Sequence, residues 1–185
     1  MKIAWFHSHL LHPNSGGTRY LLDYCIGLCE RGHEVTVFCD VIDKALRSTM
    51  HDSGIKTVSM DIFSTNSPVY WVLLPALLLW KRIYYHRQIK TFDVLITTMF
   101  PMNILICSFN MLRIQICYEP YAFFYDKNFL NNFNIAQRFV FKILGMIWKP
   151  FDKISISRMD SFIAINKTMA SVMQDLFHRS CKILP

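Results

Sequence analysis

The stretch Lys2-Ile-Ala-Trp-Phe-His-Ser-His-Leu-Leu-His-Pro-Asn-Ser-Gly-Gly-Thr-Arg19 decides how the rest of the chain is read. Lys2 to His7 reads as a buried first strand, a helical pattern begins at Thr18, and Gly16-Gly17 sits in the turn between them. Glycine has no Cβ, so such a turn can take positive φ and let another molecule approach the backbone, while the first N–H groups of the helix open into the same space. A helix N-terminus carries roughly half a positive charge, which suits a phosphate or diphosphate. A plain strand-to-helix turn has the same spacing, because two isolated glycines make a weak motif.

Outward from that turn, Leu21, Leu22, Cys25, Ile26, Leu28 and Cys29 recur at three and four residues, the spacing of one helical face over Thr18 to Glu30. Arg31-Gly32 stops that helix. His33 to Cys39 is β-branched and mostly apolar, a second strand covered on both faces. A helix over 43–51, a third strand over 55–61, a long apolar helix over about 68–88 and a fourth strand over 94–99 follow. Pro101 opens a helix expected to reach Leu112, since its missing N–H costs nothing at that position. Then come a fifth strand over 113–118, helices over 133–148 and 150–159, a sixth strand over 161–165, a helix over 167–177 and a seventh strand from Cys181.

Strands alternating with helices imply right-handed crossovers: an α/β, Rossmann-like three-layer sandwich with a mainly parallel sheet of about seven strands. In such a sheet ligands lie outside the carboxyl ends of the strands, at the topological switch point. The loops beginning at His7, Cys39, Met99, Tyr118 and Ile165 should therefore supply the site.

Composition narrows the classes. Hydrophobic residues make up 52% and aromatics 15%, which excludes disorder. The net charge of +7 and a pI near 9.2 suit an anionic ligand or an anionic membrane face. Nucleic acid is not expected, because Lys and Arg are scattered and no recognised binding signature is present. The six cysteines lie mostly in apolar runs and read as small core residues of a reducing, cytoplasmic compartment, consistent with an opening that lacks a signal-peptide pattern. Val69 to Trp80 is apolar but interrupted by Pro75 and ended by Lys81-Arg82. A span needs about twenty residues, so this segment reads as a buried helix or as an interfacial one with Trp71, Trp80, Tyr84 and Tyr85 at headgroup depth.

Neither Gly-x-Gly-x-x-Gly nor a Walker A loop occurs, so NAD or ATP in the usual mode is not expected, and no resident cofactor is assigned. His7, His9 and His12 could begin a hydrolase-type metal site, or be one core and two loop residues. Glu119, at the end of the fifth strand, could accept hydrogen bonds from a sugar or act as a base. Arg19, in the first helical turn, could pair with a phosphate.

Several stretches carry a family resemblance: Met-Lys-Ile at the start, Pro13-x-x-Gly16-Gly17-x-x-Tyr20, Arg31-Gly32-His33-Glu34-Val35, Tyr118-Glu119-Pro120 with Phe124-Tyr125-Asp126, Asp160 to Asn166, and Ile183-Leu184-Pro185. Together they resemble the retaining glycosyltransferases of family GT4, which have the two-Rossmann GT-B fold. The resemblance implies that residues 1–185 are an N-terminal, acceptor-side domain. Its glycine loop would close on the diphosphate of a UDP- or GDP-sugar held mainly by a C-terminal domain that this sequence does not contain. Gly16, Gly17, Arg19, Tyr118 and Glu119 are the implied substrate contacts. The partners are the nucleotide-sugar and a glycan or lipid-linked acceptor, with placement in the cytoplasm, peripheral to an anionic membrane. Two departures stand out: Tyr118 occupies a position where many relatives have histidine, and the family's Glu-x7-Glu segment is absent. A metal-dependent hydrolase built on the three histidines and a non-catalytic binding domain are the alternatives.

Overall fold

Mostly apolar runs, with two short, more polar ones at 56–59 and 182–183, form the seven strands of one sheet. The computed structural model describes residues 1–60, 68–98 and 100–184. The strands are β1 (Lys2–Leu10), β2 (Glu34–Ile42), β3 (Lys56–Ser59), β4 (Val94–Thr97), β5 (Leu112–Cys117), β6 (Ser161–Ala164) and β7 (Lys182–Ile183). Their order is β3-β2-β1-β4-β5-β6-β7, and every pairing is parallel. The chain runs outward from β1 to β3, then returns to lay β4 on the other side of β1. The switch point is therefore the β1/β4 pair, where Phe6 lies opposite Thr97.

Alternate residues of a strand face opposite sides of the sheet, so two helical layers are needed to bury it. On one side Trp5, Val37 and Ile116 cluster with Leu21 and Cys25 of α1 (Gly16–Glu30) and with Leu46 and Met50 of α2 (Lys44–Asp52). On the other, Phe6, Phe38 and Leu95 cluster with Leu74 and Leu78 of α3 (Pro68–Tyr84), with Ile89 of α4 (His86–Ile89) and with Met102 and Leu105 of α5 (Met102–Ile106). Cys117 and Phe162 meet Ile156 of α8 (Ile135–Ser157) and Met173 of α9 (Lys167–Phe177). The short helices α6 (Ala122–Tyr125) and α7 (Lys127–Leu130) lead from β5 into α8. This is the three-layer parallel architecture expected from the sequence.

Several boundaries differ from expectation for physical reasons. β1 and β2 run three residues past His7 and Cys39, to Leu10 and Ile42, because His9 and Leu10 keep pairing with Val41 and Ile42. α1 begins at Gly16 rather than Thr18: Ser15 caps it through its side chain, which accepts from the Thr18 amide, so both glycines lie inside the first turn. The positive-φ glycines are Gly32 and Gly54, with Gly32 at φ 78° directly after α1. The helix expected over 101–112 is only α5, after which Cys107 to Met111 turn into β5. The helices expected on either side of Pro150 are a single 23-residue α8. Proline inside a helix forfeits one ladder hydrogen bond, but burial of Asp152, Ser155 and Ile156 holds the second half in line with the first. The apolar helix divides at Tyr85 into α3 and α4. The third strand's expected end at Asp61 and the loop start at Met99 fall outside the described residues.

Candidate functional site

The first turn of α1 opens at the carboxyl edge of the sheet. Ser15 takes the Thr18 amide at 3.3 Å, and its hydroxyl donates to the Thr18 hydroxyl at 2.8 Å. The amides of Gly16 and Gly17 have no acceptor among the described residues. No acidic residue occupies the first turn, so the positive end of the helix dipole is not neutralised by its own side chains. Arg19 is exposed on the same turn, its guanidinium donating to the Asn14 side chain at 3.3 Å.

Tyr118 packs against this turn. A Cβ added at Gly17 would lie 3.7 Å from the Tyr118 ring, and Tyr20 meets the same ring edge-on at 5.3 Å between centroids. The structure thus brings Gly17, Tyr20 and Tyr118 together across α1 and the end of β5. The Tyr118 hydroxyl is buried without a hydrogen-bond partner among the described residues, and burial pushes its pKa up. Glu119, next in sequence, points elsewhere: it is exposed and lines an open groove of about 450 Å³ with Tyr125, Asp126, Met169 and Asp175, between α6 and α9. The five expected contacts therefore fall in two places, Gly16, Gly17, Arg19 and Tyr118 at α1 and Glu119 by α9.

The histidines are separately engaged. His7 Nδ1 lies 3.0 Å from the Thr98 hydroxyl, tying the interior of β1 to the end of β4 at the switch point. Burial, and then the neighbouring His9, lower its pKa from 6.5 to about 4, so it is neutral at physiological pH. His9 Nε2 lies 3.6 Å from Oδ2 of the buried Asp40. His12 is exposed in the turn. Among the described residues no three His, Cys, Asp or Glu side chains converge as a metal site would require.

Sequence reasoning missed a second polar centre beneath the β5 loop. Asp152 of α8 is buried, accepting from the Asn103 amide at 2.6 Å and from the Tyr125 hydroxyl at 2.9 Å. Its pKa is raised from 3.8 to about 6, because burial outweighs the two hydrogen bonds that favour the carboxylate. Gln115 and Phe177 line the same small cavity of about 10 Å³. The one sequence signal for this centre was Asp152, the single acidic residue of a largely apolar and basic helical stretch.

The comparisons follow the same lines. The profile of Glycosyltransferase Family 4 matches residues 14–184, from just before the glycine turn to the end of β7. No curated protein matches the chain. Among solved structures, a glycosyltransferase from Rickettsia africae ESF-5 superposes with a TM-score of 0.54 at 12% identity over 99% of this chain. That likeness is one of fold, and this chain spans 41% of that protein's length. With the profile matched over nearly its whole length, the chain belongs to Glycosyltransferase Family 4.

Proposed function

We propose that this domain is the acceptor-side half of a retaining glycosyltransferase that moves a sugar from a UDP- or GDP-sugar to a glycan or lipid-linked acceptor. The observation that carries the proposal is the open first turn of α1, with two unengaged glycine amides and an exposed Arg19, lying inside the stretch matched by the family profile. Loss of a nucleoside diphosphate from a sugar builds negative charge on the leaving phosphate, and oriented amides stabilise such charge without reorganising. Gly16 and Gly17 would offer those amides, Arg19 a bidentate partner, and Tyr118 the ring that holds the turn in place. Glu119 would face the acceptor from its groove beside α9. The principal donor contacts would come from a second domain, since a site of this kind closes between two halves.

The domain would work in the cytoplasm, peripheral to an anionic membrane. No helix among the described residues is long and apolar enough to cross one. The test is turnover of UDP- and GDP-sugars by the full-length protein in the presence of membrane extract. Release of nucleoside diphosphate from one donor supports the reading, and no release from any of them overturns it.

A further inference from the structure

We infer that the outer face of α8 is a docking surface for an anionic lipid bilayer. This names the surface for the peripheral placement proposed above and rests on that placement, but not on the transfer reaction.

An ordinary surface helix buries one apolar face and shows a polar one. α8 buries one face, through Asp152, Ser155 and Ile156, and shows a second apolar face to solvent. Ile135, Phe139 and Met146 are 85%, 64% and 70% exposed, and Ile143, Ile147 and Ile154 are exposed with them. At about 100° per residue these six span an arc of roughly 120°, over a helix roughly 34 Å long. Lys153 lies in line with Ile135 at one margin of the arc, and no other charged residue falls within it.

The border of that face indicates what covers it. Arg138, Lys142, Lys149 and Lys153 fall in the adjoining arc of roughly 60°, along one edge of the apolar stripe; Lys142 and Lys153 are exposed, while Arg138 and Lys149 are half-buried and donate to the Asn131, Phe133 and Phe124 carbonyls. The helix has a single acidic residue, Asp152, and it is buried. An apolar stripe edged on one side by cations is the pattern of a helix lying in the plane of an anionic interface. A second copy is disfavoured, because a two-fold contact sets the same patch, and so the same row of cations, against itself.

A second apolar surface of similar chemistry lies in the same layer. α5 packs against both α3 and α8, so the outer faces of these two helices share one side of the molecule. On α3, Trp80, Ile83 and Tyr84 are exposed beside Lys81, whose ammonium lies 5.3 Å from the centre of the Trp80 ring. Amphipathic aromatics next to cations suit headgroup depth.

The experiment is flotation of the full-length protein with vesicles of phosphatidylcholine alone and of phosphatidylcholine mixed with phosphatidylglycerol. The mixed vesicles are expected to carry the protein, with binding falling as salt is raised. Phe139→Glu with Met146→Glu is expected to lower the bound fraction about tenfold or more, and Lys142→Glu with Lys153→Glu to remove the preference for phosphatidylglycerol. Leu112→Glu, an exposed apolar position at the start of β5, is the control and should bind as wild type. Circular dichroism and donor turnover on a soluble acceptor check that the variants fold.

Folded Glu variants that bind as wild type overturn the assignment to α8 while leaving a peripheral protein. A wild-type protein that stays in solution overturns both, and leaves donor turnover as a separate result. A dimer in light scattering that Met146→Glu dissociates, without vesicle binding, assigns the face to a second copy instead.

Discussion

The Tyr125 hydroxyl donates to Oδ2 of Asp152 across 2.9 Å, so one buried carboxylate on α8 fastens the loop that follows β5. Asn103 of α5 takes the other oxygen. Three elements separated in sequence thereby meet at one side chain that titrates near neutrality.

The proton on Asp152 and the one missing from His7 pull stability in opposite directions with pH. Asp152 holds its proton to about pH 6 in the fold against 3.8 when unfolded, so its contribution is full below 3.8 and is lost as pH rises through 6. His7 is lowered from 6.5 to about 4, so its contribution is full above 6.5 and is lost as pH falls through 4. Asp152→Asn should therefore gain on wild type as pH rises from about 4 to 7, by on the order of 2 kcal/mol. His7→Asn should gain on wild type as pH falls over the same range. Urea unfolding at each pH measures both differences, and a constant offset for either variant would refute the corresponding assignment.

Arg113 and Asp160 form a two-pronged pair, Nη2 to Oδ1 at 2.8 Å and Nε to Oδ2 at 3.0 Å, with the Arg113 amide also donating to Oδ2. The pair ties the beginnings of β5 and β6 and holds the Asp160 carboxyl below its ordinary range. Because both side chains are partly exposed, Asp160→Ala is expected to cost only about 1–2 kcal/mol. The loss should appear in urea unfolding at neutral pH and shrink as acid protonates the wild-type carboxylate.

At Gly17 the available space is small but real. A single Cβ would sit at ordinary contact distance from Tyr118, so Gly17→Ala should fold as wild type. Gly17→Val adds branches that meet the Tyr118 ring and cover the amides, and it is expected to lower donor turnover about a hundredfold while circular dichroism stays unchanged. Turnover equal to wild type in folded Gly17→Val would remove the α1 turn from the site.

Gly32 behaves differently, because its φ of 78° is strained for any residue with a Cβ. Gly32→Ala is expected to lower stability by about 1 kcal/mol, whereas Gly16→Ala, with open space around it, should change it little. Thermal unfolding of the two variants side by side distinguishes backbone strain from loss of a glycine as such.

The alternation of strands and helices was legible because apolar runs and three-and-four spacing report burial directly, and Arg31-Gly32 marked a helix end that the φ of Gly32 bears out. The register of Gly16-Gly17 was not, because a capping serine and two glycines look alike whether they precede a helix or start it. Nor was the continuity of α8 through Pro150, which depends on tertiary burial of residues beyond the proline. At the candidate site, Tyr118 lies just past the end of β5 against Gly17, while its neighbour Glu119 turns to another groove. Adjacent residues leaving a strand diverge in direction, and only the loop's later path decides where the second one points. The Asp152 centre escaped notice because its partners, Asn103 and Tyr125, lie 49 and 27 residues away.

The strand order also fixes how the sheet can be assembled. β1 lies inside the sheet, and β2 and β3 extend it in one direction before β4 to β7 extend it in the other. Each strand in chain order thus meets an edge that is already present, and none has to be inserted between two formed neighbours. Among the described residues the strands at the two margins, β3 and β7, are four and two residues long, so β3 leaves little unpaired edge on its side for another chain to extend.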